Sequence, residues 1–144
     1  MADLPGMVGQ RIGTSRWRPV TQEMISTFAD VTDDHQWLHV DPERAATGPF
    51  GTTIAHGYLT LSLATPLLWD VLDVPDAKQI VNIGLEKVRF TAPVPSGSQL
   101  RAHVDLTAVD EVRGGLQITA TLTYEREGGE RPVCTAALLF RYYR

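Results

Sequence analysis

The stretch that decides the fold runs from Leu116 to Glu127 and reads LQITATLTYERE. Leu116, Ile118, Ala120, Leu122 and Tyr124 alternate with Gln117, Thr119, Thr121, Thr123 and Glu125. A period of two puts the first set on one face of a strand and the second on the other, the pattern of an antiparallel sheet with one packed and one wetted face. The pattern extends outward in both directions. QLRAHVDLTAVD (99–110) repeats it through Leu100, Ala102, Val104, Leu106 and Ala108, while KQIVNIGLEKVRF (78–90) and VCTAALLFRYY (133–143) are similarly rich in strand formers. The segments between them, TAPVPSGS, EVRGG and GGERP, carry turn chemistry.

Ahead of these strands the period changes. GTSRWRPV reads as a short extended piece ending near Pro19, and TQEMISTFADVTD as a helix with Thr21 as its N-cap. Met24, Ile25, Phe28, Ala29 and Val31 would form the apolar face of that helix. Asp41-Pro42 reads as N-cap and first residue of a short helix, PERAAT, stopped by Gly48-Pro49. Gly57 to Leu72 is the most apolar helix candidate. Apolar residues lie nearly all round it, so it should be enclosed by other elements, with Pro66 kinking it or opening a second segment. A buried helix followed by four long antiparallel strands predicts an α+β fold with the sheet curled around the helix.

The chain has 144 residues, enough for one sizeable core, and a formal net charge of −4. An acidic balance argues against a nucleic-acid or anionic-membrane binder. The lone cysteine, Cys134, rules out an intramolecular disulfide and a cysteine zinc cluster. No apolar run suggests a signal peptide or a membrane span, so a cytoplasmic location is expected.

The segment from Asp33 to Pro42, DDHQWLHVDP, holds most of the chemistry. On spacing alone Asp34 and His39 admit two readings: an acid/base pair desolvated by Trp37 and Leu38, or a turn-capping aspartate beside an ordinary loop histidine. A metal site built from Asp34, His35, His39, Asp41 and His56 is the lesser alternative, because the segment reads as a loop and no firmly spaced third ligand is visible. His56 could line a site but is better read as bonding a loop carbonyl. Asn82, polar within IVNIG, could orient substrate or water, or be a satisfied edge-strand amide.

Taken in order, these segments resemble the MaoC-like dehydratases and (R)-specific enoyl-CoA hydratases, which have a hot-dog fold. That family's motif places Asp five residues before His in a D-x-N-P-(apolar)-H loop. Asp34, His35, Gln36, Trp37, Leu38 and His39 occupy it here, with Gln36 for the usual Asn and Trp37 for the usual Pro. His56-Gly57 then leads into the central helix, and Val88-Arg89-Phe90 with Pro93-Val94 closes the first long strand.

The resemblance implies one hot-dog domain over 1–144 and reversible hydration of trans-2-enoyl-CoA to (R)-3-hydroxyacyl-CoA, a reaction of fatty acid metabolism. It casts Asp34 and His39 as the catalytic dyad and the Gly57 N–H as the oxyanion hole. Thr65 falls where the family often has a hydroxyl bonded to the catalytic carboxylate, though it could equally bond its own helix. No cofactor is implied. The expected partners are an acyl-CoA thioester and a second copy of the chain. Lys87, Arg89, Arg44 and Arg18 are candidates for the coenzyme's phosphates. Two competing readings share the ligand: a hot-dog acyl-CoA thioesterase, which does not need the Asp-x4-His loop, and a non-catalytic acyl-CoA-binding subunit.

Overall fold

Every period-two segment forms a strand, and two shorter strands precede them. The computed structural model describes residues 1–144. Its strands are β1 (Gln10–Thr14), β2 (Arg18–Val20), β3 (Gln79–Phe90), β4 (Ser98–Val112), β5 (Gly115–Arg126) and β6 (Cys134–Tyr143). All pairings are antiparallel, in the order β1-β4-β5-β6-β3, with β2 sharing the outer edge of β4 with β1. Leu116, Ile118, Ala120, Leu122 and Tyr124 on β5 are at most 3% exposed, as their alternation predicts. They share one core with Leu100 and Val104 of β4, Leu138 and Phe140 of β6, and Leu59, Leu67 and Leu68 from the helical layer. Each such leucine contributes about 1.5–3 kcal/mol by leaving water.

The helices are α1 (Gln22–Thr32), α2 (Trp37–Val40), α3 (Pro42–Ala46), α4 (Gly57–Ser62) and α5 (Ala64–Trp69). Thr21 caps α1 by accepting from Met24 N at 3.2 Å, and Asp41 caps α3 by accepting from Arg44 N at 3.0 Å. Of the two outcomes expected at Pro66, a kink or a second segment, the second occurs, and the helical stretch stops short of the expected Leu72. It breaks at Leu63 and ends at Trp69. Pro66 supplies no N–H for the Ser62 carbonyl and its ring would clash there, so α4 stops at Ser62 and the proline sits in the first turn of α5. Val31 also departs from its expected face, being 79% exposed while Ile25 and Ala29 of the same helix are buried.

β3 is an edge strand, and it carries Ile80, Ile83, Leu85 and Phe90 at 38–50% exposure. Tyr58 of α4, 72% exposed, shares a small cavity with Leu85. No helix is long and apolar enough to cross a membrane.

Candidate active site

The chain reverses direction as α1 ends. Asp33 closes the helix with φ at 59°, a left-handed conformation that aspartate tolerates better than most residues. The reversal carries Asp34 out of α1 and into α2. The segment expected to be all loop thus contains a single helical turn, Trp37–Val40, pinned by Asp41 N to Trp37 O at 2.9 Å. Its last two residues point the chain straight into the Asp41 cap of α3.

Two bonds to one residue fix α2 against the loop before α4. Ile54 N donates to Leu38 O at 3.0 Å, and Ile54 O accepts from His39 Nδ1 at 2.7 Å. Ala55 N, bonded to Val94 O at 2.8 Å, anchors that loop to the segment after β3. From the other side Gln22 Nε2 donates to His39 O at 2.8 Å, and Thr53 Oγ1 holds the Gln22 amide oxygen. Because a carbonyl only accepts, His39 Nδ1 carries the proton and Nε2 is left as the free lone pair.

His56 completes the arrangement. Its Nε2 donates to the backbone carbonyl of Asp34 at 3.0 Å, and its ring stacks on His39 with centroids 3.8 Å apart and planes at 23°. Phe28 covers the other side of His56 at 5.0 Å. His39 and His56 are 7% and 3% exposed, whereas the Asp34 side chain is 53% exposed. Burial pushes the His39 pKa below its usual value; the Ile54 hydrogen bond acts against this, and His56 adds to the lowering. His56 therefore packs directly on His39, while the Trp37 ring lies beneath Arg44 at 4.5 Å.

Donor atoms of Asp34, His39 and His56 all lie within 4.8 Å of one another. Two hydrogen bonds of about 2.8 Å to one water span such a gap at a near-tetrahedral angle. The fold thus brings His56, which spacing left without a firm place beside them, to Asp34 and His39. Three such donors also match the composition of a divalent-cation site. As placed, one nitrogen of each imidazole is engaged by a backbone carbonyl, that of Ile54 or of Asp34.

Gly57 opens α4 directly after His56, and no acceptor within the chain takes its N–H. It lines a cleft of about 370 Å³ with Ile54, Thr60, Phe90, Ala92 and Val133 among its walls. A Cβ on Gly57 would stand 3.2 Å from the Phe90 ring, so only glycine leaves this approach to the backbone open. Thr65 and Asn82 are not brought to Asp34. They line a separate cavity of about 180 Å³, where Asn82 Oδ1 accepts from Gly84 N at 3.1 Å on the β3 edge. Asp34 accepts instead from Gln36 N, at 3.4 Å. Of the basic residues considered for phosphates, Arg18 is bound to Asp70 at 2.8 Å.

Sequence reasoning missed Gln22, Thr53 and the Ile54 carbonyl. Ile54 acts through its backbone, which leaves no side-chain signature, and Gln22 in the first turn of α1 looks like any polar helix residue.

Comparison with known proteins bears on the family and the fold. The family model described as "MaoC like domain" matches residues 3–127. The chain is 50% identical over 143 residues to 3-hydroxyacyl-thioester dehydratase Z of Mycobacterium tuberculosis, covering 99% of this chain and 95% of that protein. It is 43% identical over 140 residues to nodulation protein N of Rhizobium leguminosarum bv. viciae, covering 94% and 86%. Among solved structures, the (R)-hydratase from A. caviae superposes with a TM-score of 0.76 at 27% identity, covering 92% and 96%.

Proposed function

The chain belongs to the MaoC-like domain family, and on that premise we propose that it catalyses reversible hydration of a trans-2-enoyl-CoA to an (R)-3-hydroxyacyl-CoA. The observation that carries this reading is the pairing of the Asp34 carboxylate with His39 at water-bridging distance, next to the unbonded Gly57 N–H. Loss of water from a 3-hydroxyacyl thioester, the reaction in the relative's name, is the same step run backwards.

The water sits between Asp34 and His39. His39 Nε2 takes one of its protons as the oxygen attacks the β-carbon, and Asp34 accepts a hydrogen bond from the other. Electron density moves through the α-carbon onto the thioester oxygen, where the Gly57 N–H at the start of α4 meets it. The imidazolium then returns its proton to the α-carbon on the same face. Atoms balance to one water added, and one side chain acting twice makes the addition syn. Burial disfavours imidazolium, which makes His39 a willing donor in the second half. His56 contributes by holding the Asp34 backbone and packing His39.

The direct test mixes the protein with short and medium trans-2-enoyl-CoA, following enoyl absorbance and free thiol together, with and without EDTA. Enoyl loss without thiol release, unaffected by chelator, is expected. Thiol release would make the protein a thioesterase, and loss of activity with EDTA would transfer the chemistry to a metal.

The unpaired edge and exposed apolar side chains of β3 support a homodimer formed through that strand, since a long apolar edge left open invites association. Light scattering at micromolar concentration should return twice the chain mass of 15.9 kDa. A monomeric mass would remove this part of the reading.

A further inference from the structure

The cleft at Gly57 continues outward. Ala92, Pro93 and Val133 line both it and a second cleft of about 640 Å³, whose far wall is the turn from Glu127 to Val133. The junction is firmly built. Thr91 N donates to Val133 O at 2.9 Å, and Thr91 Oγ1 donates to Pro132 O at 2.6 Å. Arg126 and Arg131 line the outer cleft.

These two guanidinium groups share one cleft that is continuous with the cleft at Gly57. Neither forms an ion pair, although Glu130 lies on the same turn, so both charges are free to meet an anion in the cleft. Arg126 folds back over Gly129, where an added Cβ would come within 3.7 Å of its Nε, and Gly129 N donates to Arg126 O at 2.9 Å. Arg131 is three residues from Cys134, the partner of Phe90 in the sheet, and so lies within about 11 Å of chain from that rung. Arg131 also lies beyond the residues matched by the family model, which end at 127.

We propose that Arg126 and Arg131 form the outer end of the thioester groove and bind a phosphate of the substrate's carrier arm. The thioester lies at Gly57, the pantetheine portion crosses Ala92-Pro93, and a phosphate meets two unpaired guanidinium groups whose forked donors suit its oxygens. This assignment rests on reading the inner cleft as the thioester site. A phosphate in this position is common to coenzyme A and to the phosphopantetheine of a carrier protein.

The test compares wild type with Arg126→Ala/Arg131→Ala on three thioesters of one short enoyl acid: coenzyme A, phosphopantetheine, and pantetheine without phosphate. For the coenzyme A thioester the double variant should raise KM about 10-fold or more with kcat unchanged. For the pantetheine thioester the two proteins should be alike. A KM effect that persists with phosphopantetheine assigns the site to the phosphate at the arm's end; one confined to coenzyme A assigns it to the nucleotide phosphates. Unchanged KM in the variant, or equal loss with pantetheine, overturns the proposal.

Titration with coenzyme A itself separates this inference from the function beneath it. Tighter binding by wild type than by the variant, in a protein that hydrates nothing, would keep the subsite and discard the reaction. Hydration by wild type with an indifferent variant would do the reverse.

Discussion

Asp34→Asn should lower kcat for enoyl-CoA hydration by about 10²–10⁴-fold while leaving the fold and KM nearly unchanged. The two halves of this expectation have separate physical causes. Asp34 touches the structure chiefly through its backbone, because His56 Nε2 bonds its carbonyl and not its carboxylate. The carboxylate is 53% exposed and accepts one long bond, from Gln36 N at 3.4 Å, which an amide oxygen can also accept. Replacements at such sites generally change stability by no more than about 0.5 kcal/mol. What the amide loses is negative charge and the strength with which it accepts a hydrogen bond from the water. Catalysis should therefore fall with the melting temperature held. If kcat stayed within about tenfold of wild type, Asp34 would be no more than a turn residue.

The strand half of the molecule was legible because burial and period reinforce each other there. Tyr124 and Leu122 could be assigned to the core from alternation alone, and both are fully buried. Thr21 and Asp41 were legible for a different reason: capping is local, and the two residues bond N–H groups three positions ahead. β1 was not legible. Its sequence, QRIGT, has one large apolar residue and no alternation, and it becomes a strand because β4 offers it an open edge. The Asp33–Pro42 segment lay between these cases. The motif singled out Asp34 and His39 as candidates, but their surroundings were not legible. His56, separated from His39 by 16 intervening residues, reaches its ring only because Ile54 bonds α2 in both directions. A backbone carbonyl used as a side chain's partner has no residue type to announce it. The same limit applies to Arg126 and Arg131, which become neighbours of the cleft only when the β5–β6 hairpin folds over Val133.

His39→Gln should lower kcat by a similar factor, about 10²–10⁴, and should also abolish a pH dependence that wild type displays. Glutamine keeps an N–H that can reach the Ile54 carbonyl, so the loop is still tied. It has no basic nitrogen with which to take a proton. Burial lowers the pKa of His39, so its neutral form persists below pH 6.5. Wild-type kcat/KM should fall as pH drops, with a midpoint below 6.5 assigned to this imidazole; the residual activity of the variant should lack that limb.

Stability gives an independent reading with a fixed sign. Between the lowered folded pKa and the unfolded value near 6.5, the unfolded chain binds more protons at this residue. The contribution from neutral His39 is thus complete above the unfolded value and is lost as pH falls through that window. Glutamine has no such term. Denaturant titration should find wild type more stable at pH 7.5, by about 1–3 kcal/mol for the lost ring packing, and the gap should narrow toward pH 5. A gap that stayed constant, with the acid limb of the rate still present in His39→Gln, would assign the titrating group elsewhere and leave His39 as a packed structural histidine.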